Sequence, residues 1–363
     1  MTQAPIAYHP GLETPADDEA DTIAELNRTF DTILERVADD EGHAYRAVHA
    51  KSHALIEARL TVLDDLPPEL AQGIFARPGA HDAILRVSTN PGDVLDDSVS
   101  VPRGVSLKVL DVQGDRLEGS ETDRSQDFIM VDGPVFTAKD AAAFLKNLKL
   151  LAKTTDRAQW AKKLLSTALR GVDKVLTATT GPSPTIRTMG GAPNSHPLAL
   201  TYYSQTPYRY GNHVAKVQLV PVLPRMTELA DHTVHTRGRP DAIREDMDDT
   251  LQSGPARWEL RVQLCRDPER QPIEDSTVAW DEDAAPFQTV AVIEAAPQPG
   301  WTPARARAVD DGMRFSPWNG TQDHRPLGSI NRARRQTYRH SSDFRARVNG
   351  CPVHDPASAR LPA

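Results

Sequence analysis

The stretch RAVHAKSH, Arg46 to His53, places two histidines, a lysine and an arginine within eight residues. A neutral imidazole such as that of His49 can take a proton from one atom and return it to another near pH 7. The guanidinium of Arg46 can hold a carboxylate through two parallel hydrogen bonds. The alternative is a core histidine whose nitrogens are satisfied by hydrogen bonds, and His49 alone does not decide between the two.

Few other motifs carry chemistry. Cys351 and His354 in CPVH have a spacing found among metal ligands, but no second pair accompanies them. The sequence contains no phosphate-binding glycine loop, no HExxH and no GxSxG. Because Cys265 and Cys351 are the only cysteines, a disulfide framework is excluded, which agrees with a reducing compartment.

The composition argues against two classes of protein. The net charge of -8 disfavours a nucleic-acid binder, whose affinity would rest on a basic surface. No run approaches the roughly 18 apolar residues of a membrane span, and the polar start MTQAPIAYHPGLETPADDEA does not resemble a secretory signal. We therefore expect a cytoplasmic protein with no nucleic-acid partner and no transmembrane segment.

Charge is distributed unevenly along the chain. The segment Glu13 to Glu41 is strongly acidic, whereas Arg325 to Arg347 is rich in arginine. These segments could contact each other, contact a symmetry mate, or form two solvated faces.

The positions of apolar residues predict three helices. From Asp21 to Val37 apolar side chains recur at helical spacing, and Gly42 is a plausible end. Two further helices are predicted over DAAAFLKNLKLLAK (140–153) and RAQWAKKLLSTALRG (157–171). The Gly, Pro and Ser content of 177–197 predicts a long loop.

Alternation of apolar and polar residues predicts antiparallel strands, half-buried in a curved sheet or barrel. The alternating segments are 83–89, 104–112, 214–222, 257–265 and 287–295. The fold class is therefore α+β. We expect one domain over residues 18–348, a flexible N-terminus at 1–17 and a C-terminal tail at 349–363.

Four motifs in one order resemble the haem-binding core of the catalase family. They are RAVHAKSH, LRVSTNPGD, VPRGVSLKVLD and DFIMVDGPVFTAKDAAAFLK, and the resemblance covers roughly residues 44–145. DHRPLGSINRAR, from Asp323, echoes the segment just after the family's proximal iron ligand. The resemblance implies a catalase-like antiparallel β-barrel with surrounding helices, without an extra C-terminal domain. The family's habit and the oppositely charged ends suggest a homo-oligomer.

The resemblance also implies roles for single residues. His49 would be the distal acid and base, and Ser88 would hydrogen-bond it. Arg46 and Arg86 would face the propionates of haem b, and Phe136 would pack on the porphyrin. Strand alternation in ILRVST places Arg86 and Ser88 on one face, as a shared pocket requires.

Two positions depart from the family pattern. Asp132 in VDGPVF stands where the family has an asparagine; beside His49 its carboxylate would favour the imidazolium form. The family's Arg-x-x-x-Tyr segment, whose tyrosinate ligates iron, is matched with RFSPW. Arg314 would then face a propionate and Trp318 the proximal ring face, although an indole cannot ligate iron. His324 is the nitrogen donor considered in place of the tyrosine, with a salt-bridged or capping loop histidine as the alternative.

The leading expectation is a haem-dependent enzyme of the catalase or peroxidase type that acts on hydrogen peroxide or an organic hydroperoxide. A dehydratase or lyase of fatty-acid hydroperoxides on the same fold is the second enzymatic reading. The third is a degenerate, haem-free member that binds an apolar ligand or a partner.

Overall fold

Nine β-strands pair in one antiparallel sheet in the computed structural model, which describes residues 3–152 and 193–363. The strands are β1 Ser52–Val62, β2 Gly79–Thr89, β3 Arg103–Val109, β4 Gln126–Val131, β5 Tyr202–Tyr203, β6 Tyr208–Tyr210, β7 His213–Pro221, β8 Ala256–Leu264 and β9 Gln288–Ala295. Their order is β5-β4-β3-β2-β1-β9-β8-β7-β6, and pairing of β5 with β7 closes an eight-stranded barrel with β6 attached to β7.

The five strands predicted from alternation are present as β2, β3, β7, β8 and β9. Alternation does not reveal β1 and β4, because in both strands consecutive apolar residues lie on opposite faces. In β1, Ile56 points into the barrel core, whereas Leu55 joins a separate cluster on the outside. In β4, Phe128 and Ile129 divide in the same way.

Four helices of eleven residues or more occur in the described part of the chain. They are α1 Glu19–Glu41, α2 Ala141–Ala152, α3 Ala242–Gln252 and α4 Ser329–Asn349. The predictions of α1 and α2 are confirmed, and Gly42 ends α1 in the left-handed conformation with φ 64°. The predicted helix at 157–171 and most of the predicted loop at 177–197 lie outside the described residues.

Helix α4 was not predicted, because its buried side lacks an apolar stripe. The buried residues include Thr337, Ser341, Ser342 and Arg345. Small hydroxyl side chains let the helix lie close to its neighbours. Because these side chains are polar, the sequence of α4 resembles that of a solvated, arginine-rich segment. Helix α4 packs against α1 and α2 on the outside of the barrel.

The acidic and arginine-rich segments meet within one chain. Arg332 in α4 donates to Glu13 and Glu19 at 2.7 Å each and to Glu274 at 2.9 Å. His340 lies 2.6 Å from Asp31 of α1. Of the alternatives, contact between the two segments is the one that the structure contains.

Both ends of the chain contact the barrel. The N-terminal segment, expected to be flexible, donates from Ile6 to the Cys265 carbonyl at 2.9 Å and from Tyr8 to the Asn212 carbonyl at 2.8 Å. In the C-terminal tail the side chain of Leu361 is buried. None of the helices in the described part combines the length and apolarity that a membrane crossing requires.

Candidate functional site

A slit lies between the outer face of the barrel and helix α4. Its barrel wall is a row of cross-strand partners, Arg86 on β2, Ser106 on β3 and Ile129 on β4. The helix wall is formed by Thr337, Tyr338, Ser341, Ser342 and Arg345, and the remaining lining residues are Phe30, Arg46, Ala47, Val48, His49, Arg314 and Phe315. The slit encloses about 570 Å³ of space free of protein atoms, part of which is open solvent at its mouth.

His49 is held in the slit by strained backbone and by two strands. Its φ of 56° is left-handed, a conformation that β-carbon residues adopt rarely and that is often found at functional sites. Its N–H donates to the Asn90 carbonyl at 2.8 Å, and its Nδ1 lies 3.1 Å from Ser88 Oγ. The ring lies against Gly104, where an added β-carbon would be 2.4 Å from Cε1. The hydrogen bond to Ser88 implied by the resemblance is therefore present.

The surroundings of His49 keep its imidazole neutral. Burial, and then the positive charges of Arg86, Arg334 and Arg46, lower the pKa of His49 to about 3. A neutral imidazole has one N–H and one free lone pair, so it can accept a proton in the slit. The imidazolium form expected from a neighbouring Asp132 is not favoured here.

Arg46 and Arg86 share an internal carboxylate, that of Asp310. Asp310 Oδ1 accepts from Arg86 Nε at 2.6 Å and from Arg46 Nη1 at 3.1 Å, while Oδ2 accepts from Ser52 Oγ at 2.6 Å. Arg86 Nη2 also donates to the His49 carbonyl at 2.8 Å. Sequence reasoning missed Asp310, and its effect is to anchor the loop that carries His49.

Asp132 and Phe136 lie near the barrel end but have other partners. Asp132 Oδ1 accepts from the Arg103 N–H at 2.8 Å, so this carboxylate supports the start of β3. The Phe136 ring lies 5.4 Å from that of Phe144, and Arg334 lies over it at 5.6 Å. Neither residue is part of the slit lining described above.

The residues matched with the proximal segment are divided between two places. Arg314 lines the slit and pairs with Asp123. Trp318 is buried outside it, and its indole donates to the Asn331 carbonyl at 2.6 Å.

His324 lies fully buried in the barrel core, not in the slit. Its ring is surrounded by those of Phe75, Phe128 and Tyr210, with centroids 5.6–5.7 Å apart. Its Nε2 accepts from the Ile74 N–H at 3.0 Å. Burial lowers the pKa of His324 to about 3. The residue is thus a buried histidine that accepts from an N–H of the short helix Gly73–Phe75, which agrees with the capping alternative.

Tyr338 is the site residue that the sequence comparison overlooked. It stands four residues after Arg334, so α4 contains the Arg-x-x-x-Tyr spacing that was sought at RFSPW. Tyr338 follows DHRPLG instead of preceding it, so the match rests on spacing and on its place in the slit, not on order along the chain. The signal that could have found it is this spacing, once 329–349 is read as a helix.

The chemistry of the lining residues fits haem. Tyr338 offers a phenol that could ligate iron, His49 offers a neutral imidazole, and Phe30, Phe315 and Ile129 offer apolar surface. Arg345 is 3% exposed, and its Nε has no hydrogen-bond partner. Among the described residues no group of three or more His, Cys, Asp or Glu side chains could hold a metal ion, and this includes Cys351 and His354.

Comparison with solved structures agrees with this architecture. A fungal catalase has a TM-score of 0.59 at 18% identity, over 91% of this chain and 68% of that one. Catalase A from Saccharomyces cerevisiae has a TM-score of 0.58 at 18% identity, over 95% of this chain and 67% of that one. A bacterial catalase has a TM-score of 0.59 at 16% identity, over 97% of this chain and 66% of that one. The chain thus spans about two thirds of the length of each. No protein-family model and no curated protein matches the sequence. The chain has a catalase-like fold, a closed eight-stranded antiparallel β-barrel with surrounding helices.

Proposed function

We propose that the chain is a haem-dependent enzyme that processes hydrogen peroxide or an organic hydroperoxide in the slit. The observation that carries the proposal is that an imidazole, His49, and a phenol, Tyr338 of helix α4, line the same slit. A catalase-like fold around that slit supports it further. Bound haem would supply the iron-centred redox chemistry that no side chain of the slit provides.

His49 would move the proton. We assign the Nδ1–H tautomer, which donates to Ser88 Oγ and leaves the lone pair on Nε2. Nε2 would take a proton from one oxygen of the peroxide and return it to the other. Because the pKa of His49 is lowered to about 3, the imidazole is in its neutral, proton-accepting form throughout the physiological range. Arg86 fixes the carbonyl of His49, so the ring has little freedom to leave this position.

The other lining residues would hold the group. Tyr338 would ligate the iron as its phenolate, and Phe30, Phe315 and Ile129 would pack on the ring. Arg46 and Arg86 already bond to Asp310, so their part is to shape the slit instead of binding propionates.

The test is to express the full chain with added haem and compare it with Tyr338→Phe. Tyr203→Phe, on β5 of the barrel, is the matched control. The parent and the control should show a Soret band of near-stoichiometric intensity, and Tyr338→Phe should lose haem or change its ferric spectrum. A parent without a Soret band would overturn the proposal and favour a slit that binds an apolar ligand. An unaltered Tyr338→Phe spectrum would remove Tyr338 as the ligand.

The substrate is then identified by two assays on the loaded protein. Oxygen evolution from hydrogen peroxide would indicate catalase activity. Consumption of a lipid hydroperoxide without oxygen release would indicate rearrangement or peroxidase activity. If neither peroxide is consumed, the enzymatic proposal fails even with haem bound.

A further inference from the structure

The strained backbone of His49 is tied to the loop formed by residues 90–97. The His49 N–H donates to the Asn90 carbonyl at 2.8 Å, and the Ala50 N–H donates to the Pro91 carbonyl at 3.0 Å. A left-handed residue such as His49, with φ 56°, keeps its conformation only where the surrounding structure holds it. The loop therefore has to be fixed if the imidazole is to keep its place in the slit.

Lys51, two residues after His49, binds the far end of the same loop. Its buried ammonium donates to the Leu95 carbonyl at 2.9 Å and to Asp97 Oδ1 at 2.8 Å. A third hydrogen bond goes from Nζ to the Pro240 carbonyl at 2.7 Å. An ammonium has three N–H donors, so these bonds use all of them. Lys51 thus joins the backbone that carries His49 to the end of the loop that accepts from it.

Asp97 connects this ammonium to helix α3. Asp97 Oδ2 accepts from the Ile243 N–H, in the first turn of α3, at 2.8 Å. The Asp97 N–H donates to the Pro240 carbonyl, just before the helix, at 2.9 Å. Helix α3 is itself fixed, because Ile243, Met247 and Leu251 are buried. The contacts therefore run from a packed helix through a buried ion pair to the loop beside the slit.

We propose that Lys51 is a positioning residue that holds His49 in place by clamping loop 90–97 to helix α3. The inference rests on the proposed function, because proton transfer by His49 is what requires a fixed ring. Arg86 holds the carbonyl of His49, whereas Lys51 fixes the loop that accepts its N–H. Lys51 is not part of the slit lining described above, so it acts through the backbone and contacts no molecule bound in the slit.

Amide hydrogen exchange of the full chain without haem tests this role. In Lys51→Met the His49 and Ala50 amides should exchange roughly 10- to 100-fold faster than in the parent, the scale of losing hydrogen bonds to a charged group. Strand β8 is the internal reference and should keep its exchange rate. Lys216→Met is the matched control, because Lys216 and Lys51 are both 4% exposed and Lys216 bonds to the Val278 carbonyl outside the slit lining.

The imidazole gives a second, spectroscopic readout. Burial, the largest influence, and neighbouring arginines lower the pKa of His49 to about 3, so its ring should not titrate above about pH 5 in the parent. The measurement is NMR of ¹³C-histidine protein, with the His49 signal assigned by its loss in His49→Gln. In Lys51→Met the released ring gains solvent, so its pKa should rise towards the ordinary value of about 6.5. Lys216→Met should keep the parent's titration.

Asp97→Asn replaces the lysine variant if Lys51→Met does not fold, since it removes the charge that pairs with Lys51 and keeps the shape of the side chain. It should then speed exchange of the His49 and Ala50 amides by roughly 3-fold or more, and parent-like exchange would overturn the inference. Parent-like exchange and titration in a folded Lys51→Met also overturn it. Faster exchange that β8 shares equally does so too, because Lys51 would then act only on overall stability.

These measurements need no haem, so they separate this inference from the proposed function. Faster exchange at His49 in Lys51→Met, with no Soret band in the parent, supports the clamp and overturns the haem proposal. A parent that binds haem and consumes peroxide, with parent-like exchange in Lys51→Met, leaves the proposed function standing and overturns the role of Lys51.

Discussion

Replacing Asp310 with asparagine should destabilise the protein by removing the negative charge that Arg46 and Arg86 share. Asp310 accepts three side-chain hydrogen bonds, and the side chains of Arg86, Arg46 and Asp310 are 1%, 13% and 15% exposed. Removing one partner of a buried ion pair costs about 3–5 kcal/mol. Asparagine keeps one oxygen acceptor, and two of the groups retain some solvent, so we expect a loss of about 3 kcal/mol in the free energy of unfolding. Typical stabilities are about 5–15 kcal/mol, so this loss is large.

The assay is urea unfolding of parent and Asp310→Asn at pH 7, followed by circular dichroism. Asp343→Asn, whose side chain is 70% exposed, is the control and should change stability by less than about 0.5 kcal/mol. Although burial raises it, the charges of Arg86 and Arg46 bring the pKa of Asp310 below its ordinary value. The stabilisation is therefore complete above about pH 4 and should shrink as the pH falls below that value. A loss under about 1 kcal/mol at pH 7 would refute the view that Asp310 anchors the arginines.

Other substitutions test the placement of single groups. With haem bound, His49→Gln should slow peroxide consumption by roughly 10²-fold while the Soret band stays. In the parent, the pH–rate profile should show no inflection from His49 between pH 5 and 8, because the pKa of His49 is lowered to about 3. Gly104→Ala should displace the His49 ring and lower turnover without removing haem, since the new carbon would meet Cε1 at 2.4 Å. Asp132→Asn keeps the oxygen that accepts from the Arg103 N–H, so turnover and its pH optimum should barely change. A downward shift of the pH optimum would instead indicate that Asp132 acts beside His49. His324→Ala should cost about 2–4 kcal/mol in urea unfolding and leave the haem spectrum unaltered, whereas loss of haem would reinstate His324 as a ligand.

The sequence predicted those elements in which apolar and polar residues follow the period of a strand or a helix. Strands such as β2 and β8 show alternation, and α1 shows an apolar stripe that ends at Gly42. Strand β1 was not predicted, because consecutive apolar residues such as Leu55 and Ile56 lie on its opposite faces. Helix α4 was not predicted, because hydroxyl groups line its inner side. The barrel wall of the slit was therefore predictable from the sequence, and the helix wall was not.

The site shows the same division. The order of motifs along the chain placed His49 and Ser88 together, as the structure has them. It could not place His324, because a histidine in the barrel core and one in the slit look alike in sequence. Nor could it find Asp310, which lies 224 residues from Arg86 and 264 from Arg46. A charge partner at that separation is visible only after the chain has folded.

The two walls of the slit come from distant parts of the chain, and this affects how the site forms during synthesis. The barrel wall ends at Ile129, and the first helix-wall residue is Thr337, a separation of 337 − 129 = 208 residues. At 5–20 residues per second, a ribosome takes roughly 10–40 s to add them. During that interval the outward side chains of β2, β3 and β4 are not covered by helix α4. A slit-binding molecule can be enclosed only when α4 docks, so its capture belongs to the last stage of folding.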